Sequence, residues 1–381
     1  MLLKDKKVAV IGGGPGGLML ARLLQVKGAD VKVYERDADA HARVQGATLD
    51  LHGESGLEAL RRGGLIDAFY EKYRPDAGKL RVLDDRARIR LDDHAPDDAP
   101  ADRPEIDRGP LRGILLESLE PGTVVWGSRF DFMEKEAAGR RLYFKNGTSA
   151  YADIVISADG ARSKVRSYVT DIRPVYSGVT IVEGHIHHPE KHAPRLDALL
   201  KGGKIFAFGG QKSLILSAKG DGSLTFYTGC KVDEGWMRDA GIDFADCRQV
   251  SAWFNDAFGD WDGVWRELFA DGALVCMPRP QYYYPTDQDW ETQPDLTLLG
   301  DAAHLMPPYA GEGVNMAMQD AYELAECLTG KDFEDIRTAL AAYEKQMRKR
   351  AAEVTRITLD STEMLHSEDA IPRMMELVGK E

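Results

Sequence analysis

The chain has 381 residues, 43% of them hydrophobic and 29% charged, and a net charge of −13 at pH 7. That length suggests two domains with an appended helix, in an ordinary globular composition. The acidic balance argues against nucleic acid and anionic membrane surfaces as partners, and no apolar run approaches the ~20 residues a spanning helix needs.

Lys4, Asp5, Lys6 and Lys7 precede an apolar stretch that breaks at once into glycines, unlike a secretory signal. Cys230, Cys247, Cys276 and Cys327 are scattered without a metal-ligand spacing. They read as thiols in a reducing compartment, so the expectation is a cytoplasmic protein with no metal site.

Residues 8–11 form a short apolar strand, followed by Gly12-Gly13-Gly14-Pro15-Gly16-Gly17 and a helix to about Lys27. Gly12 permits the tight turn, Gly14 removes a Cβ that would obstruct a pyrophosphate, and Gly17 lets helix and strand pack closely. The helix, from about Gly16, points its N-terminal amides and positive dipole end at the phosphates. A second strand, residues 31–34, ends at Glu35, a carboxylate suited to a ribose diol. The order strand, glycines, helix, strand, acid predicts a bound dinucleotide.

Residues 84–102 are rich in Asp, Arg, Ala and Pro and read as a surface excursion, either a domain edge or a mobile loop. Leu111, Ile114, Leu115 and Leu119 are spaced for a core helix. Strand patterns follow from Thr123, and residues 176–277 alternate like an antiparallel sheet, with Asp221-Gly222 as a hairpin turn. Residues 154–157 run into Asp159-Gly160-Ala161-Arg162-Ser163, where Asp159 and Ser163 can cap a helix start. Residues 297–299 run into Gly300-Asp301, then Pro307-Pro308-Tyr309-Ala310-Gly311-Glu312-Gly313-Val314-Asn315 and a helix to about Leu328. A glycine-rich helix start of this kind stabilises negative charge on a planar ring. The tail from Phe333 to about His366 reads as one long helix.

These three segments, with Val33-Tyr34-Glu35-Arg36-Asp37, Ala47-Thr48-Leu49-Asp50-Leu51-His52, Leu111-Arg112 and Ser163-Lys164-Val165-Arg166, resemble the class A FAD-dependent aromatic hydroxylases of the para-hydroxybenzoate hydroxylase fold. Within that group the chain looks most like the tetracycline-inactivating monooxygenases. The resemblance implies an α/β protein: a Rossmann-type FAD-binding domain (1–72, 101–173, 275–335), an antiparallel-sheet substrate domain (73–100, 174–274) and a C-terminal bridging helix (336–381). It implies FAD held by Gly12, Gly14, Pro15, Gly17, Glu35, Arg36, Asp50, Arg112, Asp159, Asp301, Pro308, Gly311, Gly313, Val314 and Asn315. Arg43 matches a position used for NADPH, a transient visitor because only one glycine fingerprint is present.

The implied reaction is hydroxylation of an aromatic or polycyclic phenol with O₂, through a flavin C4a-hydroperoxide, by a monomer, with tetracyclines first in line. An aromatic-ring hydroxylase with another substrate, a flavin oxidoreductase without oxygen transfer and a flavin-dependent binding protein are the alternatives. No acid or base residue is expected to be required. Glu183, Lys204 and Thr225 align with the glutamine, arginine and histidine that hold the drug in tetracycline-degrading relatives, and Tyr309 stands where phenylalanine is usual. Met318, Phe206, Phe208 and Phe226 are pocket candidates with core packing as the plainer reading. The run Tyr282-Tyr283-Tyr284 reads as strand rather than stacking platform, and His304 as a packed histidine. Arg112 needs an anionic or carbonyl partner, either the cofactor or Asp107 or Glu117.

Overall fold

The computed structural model describes residues 2–42, 48–93, 103–271 and 274–378. In chain order, β1 (Lys7–Ile11), α1 (Pro15–Val26) and β2 (Asp30–Tyr34) make the first unit. Next come β3 (Leu49–Asp50), α2 (Gly56–Arg62), α3 (Ile66–Lys72), β4 (Leu80–Asp84), β5 (Ile89–Asp93), β6 (Glu105–Ile106) and α4 (Arg108–Glu117). They are followed by β7 (Val124–Val125), β8 (Phe130–Glu136), β9 (Gly139–Phe144), β10 (Ser149–Ala152) and β11 (Ile154–Ser157). The middle holds β12 (Val175–Ile186), α5 (Pro189–His192), α6 (Pro194–Leu200), β13 (Lys204–Gly209), β14 (Lys212–Ala218), β15 (Leu224–Lys231), α7 (Trp236–Asp239), α8 (Cys247–Ala257) and β16 (Cys276–Tyr283). The chain closes with β17 (Leu296–Leu298), α9 (Asp301–His304), α10 (Gly313–Thr329), α11 (Ile336–Leu365) and α12 (Ala370–Val378).

The first sheet runs β17-β11-β1-β2-β7, parallel throughout. Its strands are nearly all apolar because helices cover it, as a parallel sheet requires. α1 and α10 pack together closely enough that a Cβ at Gly16 would lie 2.8 Å from the Ala317 carbonyl oxygen. The larger sheet runs β16-β12-β15-β14-β13-β4-β5 and is antiparallel except where β13 meets β4. The described part of the charged excursion is therefore the β4–β5 edge hairpin, anchored by buried Asp84 accepting from Arg88 at 2.8 Å and Arg90 at 2.6 Å; residues 94–102 lie outside the described residues.

Strand periodicity gives the larger sheet two faces. Leu83, Val182, Ile205, Leu214, Leu216, Leu224 and Phe226 turn to a core closed by α6, α8 and the 3-10 turn at Gly263–Phe269. The helices α6 and α8 interrupt a region whose sequence pattern predicts only strands. The opposite face carries Lys204, Phe206, Ser213, Ile215, Ser217, Thr225, Tyr227, Glu183 and His185, in register across β13, β14, β15 and β12.

α11 is capped by Asp335, whose side chain accepts from the Thr338 N–H at 2.8 Å. Leu340, Tyr343 and Met347 join the core of the parallel sheet, whereas Met364 and Leu365 join Val82 and Phe208 of the larger sheet. One helix thus spans both sheets. It ends at Leu365 rather than running on, and Pro372, which cannot donate a backbone hydrogen bond, sits in the first turn of the separate α12. Among the described residues no helix is long and apolar enough to cross a membrane.

Candidate functional site

The loop between β1 and α1 has the geometry its glycines predict. Gly12 has φ +110°, and a Cβ there would lie 2.3 Å from the Ala158 carbonyl oxygen. A Cβ at Gly17 would lie 2.2 Å from the Gly12 carbonyl oxygen, whereas at Gly14 it would meet nothing within 4 Å. Gly14 caps α1 without a side-chain hydrogen bond, Pro15 takes the first helical position, and no acid stands in the first turn. The helix therefore offers an uncapped, uncrowded positive end.

Glu35 is 4% exposed at the end of β2. Its carboxylate accepts the Gly13 N–H at 2.6 Å and the Asp37 N–H at 2.9 Å, tying the strand end to the glycine turn. Arg36 is exposed. Arg112 is buried beside the same loop, donating to the Ala40 carbonyl at 2.8 Å and lying 3.5 Å from Asp37. It pairs with neither Asp107 nor Glu117; Asp107 instead accepts from the Gly220 N–H at 2.8 Å. Arg43 lies outside the described residues.

After β11, Asp159 accepts from Ser157 Oγ at 2.5 Å and from the Lys164 N–H at 2.9 Å, and Ser163 accepts the Arg166 N–H at 2.9 Å. Asp159 and Ser163 thus close the turn, but no α-helix follows for them to cap: the next element is a 3-10 turn, Arg166–Tyr168, with Val165 at its N-cap and no side-chain cap. The guanidinium of Arg166 reaches across to the other motif: it donates to the Ala302 and Ala303 carbonyls, each at 3.0 Å, and to Gln288 at 2.8 Å. Burial lowers Arg166 to about 10.

Gly300 has φ +60°, and Asp301 beyond it is exposed at the end of β17. His304 is 2% exposed and hydrogen-bonds Asp320 at 2.6 Å. The same Asp320 carboxylate accepts the Gly300 N–H at 2.8 Å and pairs with Arg350 at 2.6 Å. Burial alone raises the Asp320 carboxyl, but His304 and Arg350 outweigh it and leave it below the usual range. His304 is a packed histidine, as its sequence position suggests.

Pro308 is exposed on the following loop, and Gly311, with φ +72°, lies over Asp50, 3.1 Å from Asp50 Oδ1 to a Cβ built there. Asn315 is fully buried; it donates to the Asp50 carbonyl and accepts the His52 N–H, both at 2.9 Å. It thereby locks β3 to the start of α10. Gly313 has open space around its Cα, and Val314 is half-buried. Asp50 also meets His52 at 3.1 Å; burial would raise its carboxyl, but His52 and then Lys204 hold it lower.

On the larger sheet, Glu183 and Thr225 are both buried and both bonded to a residue the sequence reading passes over. His185 stands between them, Nδ1 at 2.8 Å from Thr225 Oγ1 and Nε2 at 3.1 Å from Glu183. The other Glu183 oxygen pairs with Arg279 of β16. Polar residues alternating at 183 and 185 were the available signal for His185. Lys204 pairs with Glu105 of β6. Phe206, Ile215 and Tyr227 are half-buried between these polar groups.

Met318 does not line this face. It is fully buried in the core of the parallel sheet, because its position on α10 points to the sheet rather than the cleft. Phe226 is core on the far side of the larger sheet, and Phe208 is buried under the end of α11. Tyr282 and Tyr283 belong to β16, and Tyr284 faces Arg166.

A dinucleotide fits these residues: open space at Gly14 and an exposed Asp301 follow β1 and β17 of one parallel sheet, where such ligands bind, and Gly313, also with open space, starts α10. A family described as "FAD binding domain" matches residues 5–185 and 288–358. The chain is 29% identical to a 6-hydroxynicotinate 3-monooxygenase of Pseudomonas fluorescens, over 96% of this chain and 94% of that one. It is 31% identical to a 3-amino-4-hydroxybenzoate 2-monooxygenase, PtmB3, of Streptomyces platensis, over 95% and 89%. The crystal structure of tetracycline destructase Tet(55) superimposes with a TM-score of 0.79 at 20% identity, covering 100% of this chain and 96% of that one, a likeness of fold.

Proposed function

The chain belongs to the FAD-binding-domain family of class A hydroxylases and is an FAD-dependent monooxygenase; from that premise we propose that it hydroxylates a small aromatic ring already bearing a hydroxyl group. The observation that carries this reading is the face of the larger sheet. Phe206, Ile215 and Tyr227 give a half-buried apolar floor, and Lys204, His185, Glu183 and Arg279 give it a polar border. A planar ring covers the floor, and its polar substituents meet the border.

Bound and reduced, FAD would supply the two electrons that activate O₂, one atom of which goes to the ring and the other to water; the chain supplies grip, orientation and a water-poor site. In this reading Gly12, Gly14, Pro15 and Gly17 receive the pyrophosphate, and Glu35 and Arg36 the adenosine end. Asp50, Arg112, Asp159 and Asp301 hold the middle of the cofactor. Pro308, Gly311, Gly313, Val314 and Asn315 border the flavin ring. NADPH is the reductant, a transient visitor with Arg43 among its contacts. Residues 1–72, 101–173 and 275–335 serve the cofactor, 73–100 and 174–274 the substrate, and α11 joins them.

Two relatives near 30% identity are named for single-ring substrates carrying a hydroxyl group, which favours such a ring first. Tetracyclines are the second reading. It is supported by His185, which returns an imidazole beside Thr225, 2.8 Å away, where a histidine is expected in tetracycline-degrading relatives.

The test is a panel of 6-hydroxynicotinate, 3-amino-4-hydroxybenzoate, salicylate and tetracycline with NADPH in air. Substrate-dependent NADPH oxidation with a product that has gained one oxygen, either on an open ring position or in place of a carboxylate lost as CO₂, supports the reading. NADPH oxidation that yields only hydrogen peroxide across phenols and tetracyclines contradicts it.

A further inference from the structure

Three polar side chains from three separate elements meet over one strand residue. A Cβ built on Gly229 of β15 would lie 2.3 Å from Ser213 Oγ, 2.5 Å from His366 Nε2 and 2.8 Å from Tyr309 Oη. Ser213 comes from β14, His366 from the end of α11, and Tyr309 from the Pro307-Pro308 loop beside the proposed flavin site. Glycine is what leaves room for this junction.

The contacts have a direction. His366 Nδ1 lies 2.7 Å from the Thr362 carbonyl oxygen, which only accepts, so Nδ1 carries the proton and Nε2 is left an acceptor. Ser213 Oγ is 3.0 Å from Nε2 and Tyr309 Oη is 3.4 Å from it. The Tyr309 hydroxyl also meets Ser213. Burial holds His366 down at about 4, so the imidazole is a neutral acceptor at physiological pH. Nε2 offers one lone pair: the nearer hydroxyl, Ser213, donates into it, and the Tyr309 proton turns to Ser213 Oγ, away from the sheet face. Tyr309 packs with Phe206 against the cluster of Val82, Phe208, Met364 and Leu365, which makes its ring a continuation of the apolar floor.

We infer that Tyr309 Oη is the acceptor for an O–H on the substrate ring, and that Ser213 and His366 are positioning residues that keep its own proton turned away from that ring. This rests on the ring-hydroxyl reading above and sharpens it: the site selects a neutral ring hydroxyl over a ring that lacks one. Phenylalanine at position 309 would keep the wall and lose the selection.

The experiment uses FAD-loaded holoenzyme and the flavin absorbance change on titration with 4-hydroxybenzoate and, separately, 4-fluorobenzoate. Wild type should bind the hydroxy acid about 5- to 10-fold more tightly, the size of one well-placed hydrogen bond. Tyr309→Phe should erase that preference to within about twofold while still binding 4-fluorobenzoate. His366→Leu should erase it as well, and His366→Gln, which restores an acceptor, should keep it. A preference that survives Tyr309→Phe, or that is equal in His366→Leu and His366→Gln, overturns the inference. If wild type binds neither ring, the ring-hydroxyl reading itself fails, and the inference with it.

Discussion

The guanidinium of Arg166 lies 3.5 Å from the centre of the Tyr284 ring while its nitrogens hold the carbonyls that follow Asp301. The second and third cofactor motifs, more than a hundred residues apart in sequence, are thus joined by one side chain. Arg166→Ala leaves the Ala302 carbonyl short of its donor, takes one of two donors from the Ala303 carbonyl, which keeps Gln288, and removes the stacking. It should cost about 2–4 kcal/mol of stability, and Arg166→Lys should recover less than half, because an ammonium cannot reproduce the planar fork. Denaturant midpoints with and without FAD check this, the larger loss being expected in the FAD-loaded protein.

Glu35 secures the glycine turn through the Gly13 N–H at 2.6 Å. Glu35→Ala should weaken FAD binding about 10- to 100-fold, the range for a lost hydrogen bond to a charged group. Fluorescence titration of the apoprotein with FAD reads the change directly.

Two glycines of one motif should behave in opposite ways. A Cβ at Gly17 would collide with backbone, 2.2 Å from the Gly12 oxygen, so Gly17→Ala should cost about 1–3 kcal/mol of stability. At Gly14 a Cβ meets nothing within 4 Å, so Gly14→Ala should leave stability within about 1 kcal/mol and weaken FAD binding. Thermal melts of the apoprotein, paired with FAD titration, separate the two effects.

His366 supplies a pH signature. It is fully buried and held at about 4 against an ordinary 6.5, beside the Lys231–Glu363 pair. Its pKa is lower folded than unfolded, so the unfolded chain takes up the proton first as pH falls. The contribution is complete above pH ~6.5 and is lost between there and pH ~4, up to about 3 kcal/mol. Over that interval wild type should lose more stability than His366→Gln, as measured by denaturant unfolding at each pH. Parallel curves would contradict the assignment.

Local rules made the cofactor cradle legible. The β1–α1–β2 unit, the acid at its end and the turn closed by Asp159 and Ser163 depend on neighbours a few residues away or on backbone geometry that glycine announces. The proposed substrate face was less legible. His185 and Thr225 are 40 residues apart, and Ser213 and His366 are 153 apart. Their meeting depends on strand register and on where α11 ends, which no local pattern states. The helix α8 carried a readable signal in the spacing of Cys247, Val250 and Phe254, but the strands around it dominate the pattern. Met318 shows the converse. An apolar residue near a cofactor motif reads as pocket or core alike until the helix face is known.

We propose that this chain transfers one atom of O₂ to a hydroxylated aromatic ring. The most direct measurement is incubation of the FAD-loaded enzyme with NADPH, the best substrate of the panel and isotopically labelled O₂, followed by mass analysis of the product. One labelled oxygen on the ring is expected for each NADPH consumed. A product that takes its oxygen from water, or NADPH consumption that ends in labelled hydrogen peroxide with the ring unchanged, would contradict it.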